Sequence, residues 1–341
     1  MPTLRRDPIT ARWVINPDLA DDQASSLIEM EKLIPHGTCP FCEGNEKYTP
    51  PEIYAIRSKT STPNGPGWEV RVVPNISPAL KVELELDQRA ERMYDLMNAV
   101  GAHEIIIETP RHIANISDLE VGQVVKVMQT YKERIFDLKK DKRFRSIFIF
   151  KNYGERAGSS PIKHAHSQLI AVSVTPKNVK EELSGAKEYY DYKERCVFCD
   201  MIKQELSAEK RMVCSNNDFL AIAPFASRFS HEVWILPKKH SVDFENTADE
   251  QFEKLASLFK EVLLRLKIHL NDPPYNYIFH TGPNRTRRRG EAWKTIGEDF
   301  HWHIEIMPRY TRIDGFEWGT GLYINATTPE QAATNLRKVK I

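Results

Sequence analysis

The chain repeats itself, and few properties of a sequence restrict its fold as tightly as a repeat does. Each half opens with a Cys-x-x-Cys pair, Cys39-Pro-Phe-Cys42 and Cys196-Val-Phe-Cys199. Each continues with a β-like run ending in a proline turn: Trp68 to Pro74-Asn75, and Phe219 to Pro224-Phe225. Ten-residue blocks that nearly duplicate follow, His103-Glu-Ile-Ile-Ile-Glu-Thr-Pro-Arg-His112 and His231-Glu-Val-Trp-Ile-Leu-Pro-Lys-Lys-His240. Each block leads into an amphipathic helix, a strand, a polar loop and a histidine pair, His164-Ala-His166 or His301-Trp-His303. Agreement in order across this many features implies duplication, with repeats at 1–176 and 177–341. The order of elements lacks βαβ alternation, so it predicts an α+β fold with antiparallel sheet.

The helices are expected over about 117–141 and 247–269. Ser117 with Glu120, and Thr247 with Glu250, read as capping boxes, and Asn271-Asp-Pro-Pro274 stops the second helix. The polar segment 177–195 reads as a helix between the repeats.

The net charge of +1 provides no global field for nucleic acid or an acidic membrane, so anion binding has to come from a local site. No apolar run is long enough to span a bilayer, and the start has no signal-peptide core. A cytoplasmic location is the expectation. In a reducing compartment a Cys-x-x-Cys pair is a metal half-site or a redox dithiol. A closed zinc site needs four ligands. Cys39, Cys42, His112 and His164 provide them in the first repeat, and Cys196, Cys199, His240 and His301 in the second. Two Zn2+ ions per chain are expected. His36, His103, His231 and His269 read as structural.

Side chains alternate faces on a strand, so His164, His166 and Gln168 should share one face. If His164 is pinned by metal, His166 beside it has little freedom. A neutral imidazole with one nitrogen held by an acceptor can attack phosphorus with the other. His166 is the expected nucleophile and Gln168 a neutral donor to a phosphate oxygen. The preceding loop, with Asn152, Gly154, Gly158, Ser159 and Ser160, offers backbone N–H groups and short polar side chains suited to an anion. In the second repeat Glu305 replaces Gln168, and a carboxylate repels phosphate. Catalysis is therefore expected in the first repeat alone, with His303 structural.

Cys39-Pro-Phe-Cys-Glu-Gly-Asn-Glu46, Thr49-Pro-Pro-Glu52, Val73-Pro-Asn75, Glu108-Thr-Pro-Arg-His112, Asn152-Tyr-Gly and His164-x-His-x-Gln168 resemble the galactose-1-phosphate uridylyltransferase family, a two-repeat branch of the histidine-triad superfamily. The resemblance implies a half-barrel of antiparallel sheet flanked by helices, a homodimer, and ping-pong transfer of a nucleoside monophosphate through a histidine. It places zinc on Cys39, Cys42, His112 and His164, the nucleotide on His166, phosphate contacts on Gln168, Asn152, Ser159 and Ser160, and a nucleoside contact on Asn75. The implied partners are a nucleotide-sugar and a sugar phosphate or phosphate. The chain departs from the family in His164-Ala-His166, in Asp18-Leu-Ala-Asp21-Asp22 where arginines are usual, and in a longer loop in which Arg156 or Lys163 is expected to compensate. At the sugar end Glu317 is kept, but the pattern to Asn325 is closer to the ADP-glucose phosphorylase branch, where phosphate is the acceptor. Hydrolysis, as in dinucleoside-polyphosphate-cleaving relatives, is a further alternative. The family's second metal can also be held by a Glu and three histidines, for which Glu182, His280, His301 and His303 are available. The Arg285–Gly290 run reads as a solvated loop or a phosphate-binding flap.

Overall fold

The computed structural model describes residues 1–17, 37–285 and 293–341. The Asp18–Asp22 departure, His36 and all of the Arg285–Gly290 run except Arg285 lie outside them. A small antiparallel sheet, ordered β2-β1-β6-β5, gathers β1 (Thr3–Arg6), β2 (Trp13–Asn16), β5 (Arg89–Glu91) and β6 (Tyr94–Asn98). The first repeat contributes β3 (Tyr54–Arg57), β4 (Trp68–Pro74), β7 (Gly101–Ile107), β8 (Ser146–Tyr153) and β9 (His166–Val172) to a second sheet. The other repeat contributes β10 (Met212–Ser215), β11 (Phe219–Ile222), β12 (Val233–Pro237), β13 (Tyr275–His280) and β14 (His303–Pro308).

These ten strands form one open sheet in the order β10-β11-β12-β14-β13-β8-β9-β7-β4-β3. Read outward from the middle, β8-β9-β7-β4-β3 is mirrored by β13-β14-β12-β11-β10. The halves meet along an antiparallel β8–β13 ladder running from Tyr153–Tyr275 to Ile149–Phe279. The duplication therefore builds a single sheet, open at both ends, rather than two.

Period-two alternation decides which face each residue serves. Val72, Ile106, Leu169 and Ile235 face the main core with the helices α1 (Val121–Leu138) and α4 (Phe252–His269). Val124, Met128, Tyr131 and Ile135 of α1, and Leu255, Phe259, Val262 and Leu266 of α4, are all buried there. Each such side chain contributes about 1.5–3 kcal/mol relative to exposure. Val73 and Ile107 turn to the opposite face and meet Phe41. In the second repeat that opposite face is covered by α2 (Lys177–Lys193) and α3 (Val197–Ala208), through Leu183, Ala186, Phe198 and Ile202. Among the described residues no helix covers it in the first repeat.

Neither expected capping box forms. Both helices start late, behind short 3-10 turns at Ile116–Asp118 and Asp249–Gln251, and the Ser117 and Thr247 hydroxyls are buried without partners. Asn115 caps the first turn instead, accepting from the Ser117 N–H at 3.1 Å. The duplicated blocks also slip by one residue. Ile105 pairs with Gln168 and Trp234 with Glu305, so Glu232 occupies the place of His103. His231 sits outside β12 with φ of 62°.

Candidate active site

Two four-residue clusters bracket the sheet, Cys39-Cys42-His112-His164 and Cys196-Cys199-His240-His301, each with its ligand atoms within 4.8 Å of one another. In the first, Sγ of Cys39 lies 3.5 Å from Nδ1 of His164, and Sγ of Cys42 lies 3.4 Å from Nδ1 of His112 and 3.7 Å from that of His164. Zinc bonds of about 2.3 Å to sulfur and about 2.05 Å to nitrogen at a tetrahedral angle require S···N separations of about 3.6 Å. The geometry fits. In both clusters a carbonyl holds the far nitrogen of the buried histidine. His164 Nε2 donates to Thr109 O at 2.8 Å, and His301 Nε2 to Pro237 O at 2.9 Å, which turns both Nδ1 atoms to the cysteines. Desolvation, then the charge of Cys39, pushes the Cys42 thiol up to about 11. A cation among the sulfurs reverses that cost.

The alternative four-ligand set is split by this arrangement. His301 belongs to the cysteines, which leaves Glu182, His280 and His303 as a separate group of three. Although burial opposes it, the carboxylates of Glu182 and Glu305 raise His280 to about 10. Glu305 is held well below the usual carboxylate range against its own burial, by His280 and Arg228.

The uncovered face of the first repeat carries a cavity of about 830 Å3, lined by Gly37 to Phe41, Tyr48 to Pro50, Val73 to Ser77, Ile105, His112, Ser160 to Lys163, His166 and Gln168. Asn75, Ser160, His166 and Gln168 are thus brought together. His166 is buried, and its Nδ1 donates to His164 O at 2.7 Å, so Nε2 is the nitrogen left for the cavity. Phe41, between the two cysteines, meets the imidazole edge-on with ring centroids 5.2 Å apart. Burial, then the charge of Lys151, lowers the His166 pKa and favours the neutral ring.

Asn152, Gly158 and Ser159 do not line the cavity. They frame the loop that does: Asn152 Nδ2 donates to Gly158 O at 3.3 Å, Asn276 Nδ2 donates to Asn152 Oδ1 at 2.8 Å, and Ser159 N donates to Gly154 O at 3.3 Å. Lys163 lines the cavity, whereas Arg156 reaches Tyr310 O in the second repeat. Glu317 is also apart from it, in a short helix, α6 (Gly315–Thr320), following the four-residue α5 (Ile296–Asp299). Both of its oxygens are engaged locally, accepting from Asp314 N at 2.9 Å and Ile324 N at 3.1 Å.

His103 belongs to the site although it reads as structural from sequence. Its Nε2 lies 2.9 Å from Gln168 Oε1 and 3.0 Å from Asn75 Nδ2. Nε2 serves one of these neighbours at a time: protonated, it donates to Gln168 Oε1 and turns that amide's NH2 toward the cavity; unprotonated, it accepts from Asn75 Nδ2. The sequence offered the two-residue spacing of His103 from Ile105, but it is the ladder, with Ile105 opposite Gln168, that brings His103 to the site.

Among the described residues the histidine of the second repeat is packed in rather than opened to a cavity. His303 is stacked between His280 (4.6 Å, 13°) and Trp234 (4.9 Å, 22°), with Phe198 at 5.3 Å. Trp234 occupies the register position of Ile105, and Glu305 that of Gln168, held by Arg228.

Residues 72–176 match the family model for the galactose-1-phosphate uridyl transferase N-terminal domain, and residues 182–340 match that for its C-terminal domain. An ADP-glucose phosphorylase of Arabidopsis thaliana is 32% identical over all of this chain and 93% of its own. A galactose-1-phosphate uridylyltransferase of Thermotoga maritima is 26% identical, covering all of this chain and 99% of its own. The crystal structure of an Arabidopsis thaliana ADP-glucose phosphorylase with bound ADP-glucose superposes with a TM-score of 0.78 at 33% identity, covering both chains completely. A uridylyltransferase structure gives 0.79 at 28%, covering 99% of this chain and 97% of its own. The family models and these relatives, named galactose-1-phosphate uridylyltransferase and ADP-glucose phosphorylase, make the chain a nucleotidyltransferase. The chain belongs to the galactose-1-phosphate uridylyltransferase family.

Proposed function

We propose that this protein moves a nucleoside monophosphate from a nucleotide-sugar to a phosphate-bearing acceptor through a covalent nucleotidyl-His166. The observation that carries this reading is the orientation of His166, whose Nδ1 is tied to His164 O while Nε2 is left for the cavity. The Nε2 lone pair attacks the α-phosphorus. The bond from that phosphorus to the bridging oxygen breaks, and a sugar phosphate leaves. An oxygen of the acceptor then attacks the same phosphorus and the histidine is released. Gln168 donates to a non-bridging oxygen from its place two residues along β9, Ser160 and Lys163 face the phosphates, and Asn75 faces the nucleoside.

Both cysteine clusters have the donor set for Zn2+, which when bound is closed and structural. Labour divides between the repeats: 1–176 carries the chemistry, and 177–341 the second metal cluster. The exposed apolar run of Phe316, Trp318, Leu322, Tyr323 and Ile324, with Trp318 76% exposed, supports a homodimer that covers it. Among the described residues no helix is long and apolar enough to cross a membrane. Nucleic acid is not among the proposed partners.

A second reading is adenylyl transfer from ADP-glucose to phosphate. It is favoured by the 32% identity to the phosphorylase. The test is trapping with UDP-glucose and ADP-glucose labelled at the α-phosphate. Acid-labile label is expected on wild-type protein and on His303→Asn, and none on His166→Asn. Release by galactose 1-phosphate, by phosphate or by water alone names the acceptor. Label retained by metal-replete His166→Asn sinks the reading.

A further inference from the structure

Behind the nucleophile, on the helix-covered face of the sheet, lies an ion pair that the chemistry above does not use. Lys151 Nζ and Glu108 Oε2 are 2.6 Å apart, with side chains 2% and 0% exposed. A buried pair is weak evidence for stability, because both charges have given up water, so its placement asks for another explanation.

That placement coincides with a gap in the sheet. β8 and β9 pair as far as Phe150–Gln168 and then part, and beyond that point β8 pairs only with β13. Where the next rung would engage His166, its carbonyl instead accepts from Lys151 Nζ at 2.8 Å. The neighbouring carbonyl, Ala165 O, accepts from the Glu108 backbone N–H at 3.0 Å. Ser167 Oγ accepts from the Tyr131 hydroxyl at 2.7 Å. The Tyr131 and Tyr277 hydroxyls, 2.7 Å apart, both lie within 3.2 Å of the other Glu108 oxygen. Ala165 is therefore held by the Glu108 main chain, His166 and Ser167 at the start of β9 are held by the buried side-chain network, and the second repeat supplies Tyr277.

Peptide units are rigid planes, so the direction of a side chain follows from the two planes that flank its Cα. For His166 one plane is held by Glu108 N and the other by Lys151 Nζ. We propose that Lys151 is a positioning residue, which replaces the missing rung of the sheet and so aims the His166 imidazole at the α-phosphorus. The proposal rests on the reading that His166 receives the nucleotide. Without the Lys151 ammonium the second plane keeps only its β7 side, where Ser167 pairs with Ile106, and the His166 carbonyl is left without a partner on the β8 side. A displacement near 1 Å at the attacking atom costs about 100-fold in rate.

The pair can be removed as a unit. In full-length, metal-replete Lys151→Met the charge of Glu108 is stranded, and both melting temperature and labelling rate should fall. In Glu108→Gln/Lys151→Met no buried charge remains, so the melting temperature should recover. The single-turnover rate of label transfer from the donor nucleotide-sugar should stay about 10- to 100-fold below wild type. The donor concentration giving half the maximal rate should remain within about twofold, since the network meets the cavity only through His166 and none of its side chains lines it. A double variant that regains the wild-type rate along with its stability makes the pair merely structural and overturns the inference. Wild-type protein that takes no label from any donor overturns the reading of His166 as well, so the two failures are told apart.

Discussion

Removing one ligand from each metal cluster in turn should separate an anchor for catalysis from an anchor for folding. In Cys42→Ala the sulfur that meets both His112 and His164 is lost, and in Cys199→Ala the one that meets both His240 and His301. A zinc ion present at a thousand times its dissociation constant stabilises the fold by about 4 kcal/mol. Unfolding a chain of 341 residues releases roughly 0.7 kcal/mol per kelvin, at about 2.1 cal/mol/K per residue. Each variant should therefore melt about 6 °C lower, accompanied by the loss of one metal equivalent. The kinetic outcomes diverge. His164 provides the carbonyl that holds His166 Nδ1, and Phe41 between the first two cysteines packs edge-on against that ring. Cys42→Ala should slow nucleotide transfer to His166 by about 100-fold if the ring shifts by about 1 Å. Cys199→Ala frees no residue of the cavity and should stay within about threefold. The assay pairs thermal melting and metal analysis with single-turnover labelling. If Cys42→Ala loses metal yet labels at the wild-type rate, or both variants slow equally, the anchoring argument fails.

His103→Ala releases the Gln168 amide, which then spends part of its time with oxygen toward the phosphate. Donor affinity should fall about tenfold, in keeping with one charge-assisted hydrogen bond, as measured by donor dependence of labelling; an unchanged value would return His103 to a structural role. Burial and the Lys151 charge favour neutral His166, so its pKa lies below the ordinary 6.5. The labelling rate should fall on acidification as Nε2 takes a proton, with its midpoint below pH 6.5. A half-maximal rate at or above pH 6.5 contradicts the assignment of cause.

Much of the site was legible because its chemistry is local. Two-residue spacing put His166 and Gln168 on one face, and the order of cysteines and histidines was sufficient to group both clusters. What sequence could not supply depends on how the repeats meet. Nothing in the spacing says that β8 joins β13, or that Tyr277 reaches Glu108. The pairing of His103 with His231 looked sound letter by letter, yet the register of β12 is shifted by one residue relative to its block, and only the ladder reveals it. Asn152 and Ser159 have the right composition for phosphate contacts, but here their polar atoms brace the loop. The capping boxes failed because 3-10 turns intervened, a competition between two local geometries that composition does not resolve.

The β8–β13 seam makes the two copies interdependent. Cut from its twin, the half that carries His166 would present β8 as a bare edge with unmet N–H and C=O groups, a template for clumping with other chains. It would also forfeit the phenol that stands beside Tyr131. The copy whose histidine is walled in by Trp234 and His280 thus acts as a standing partner for the edge of the other.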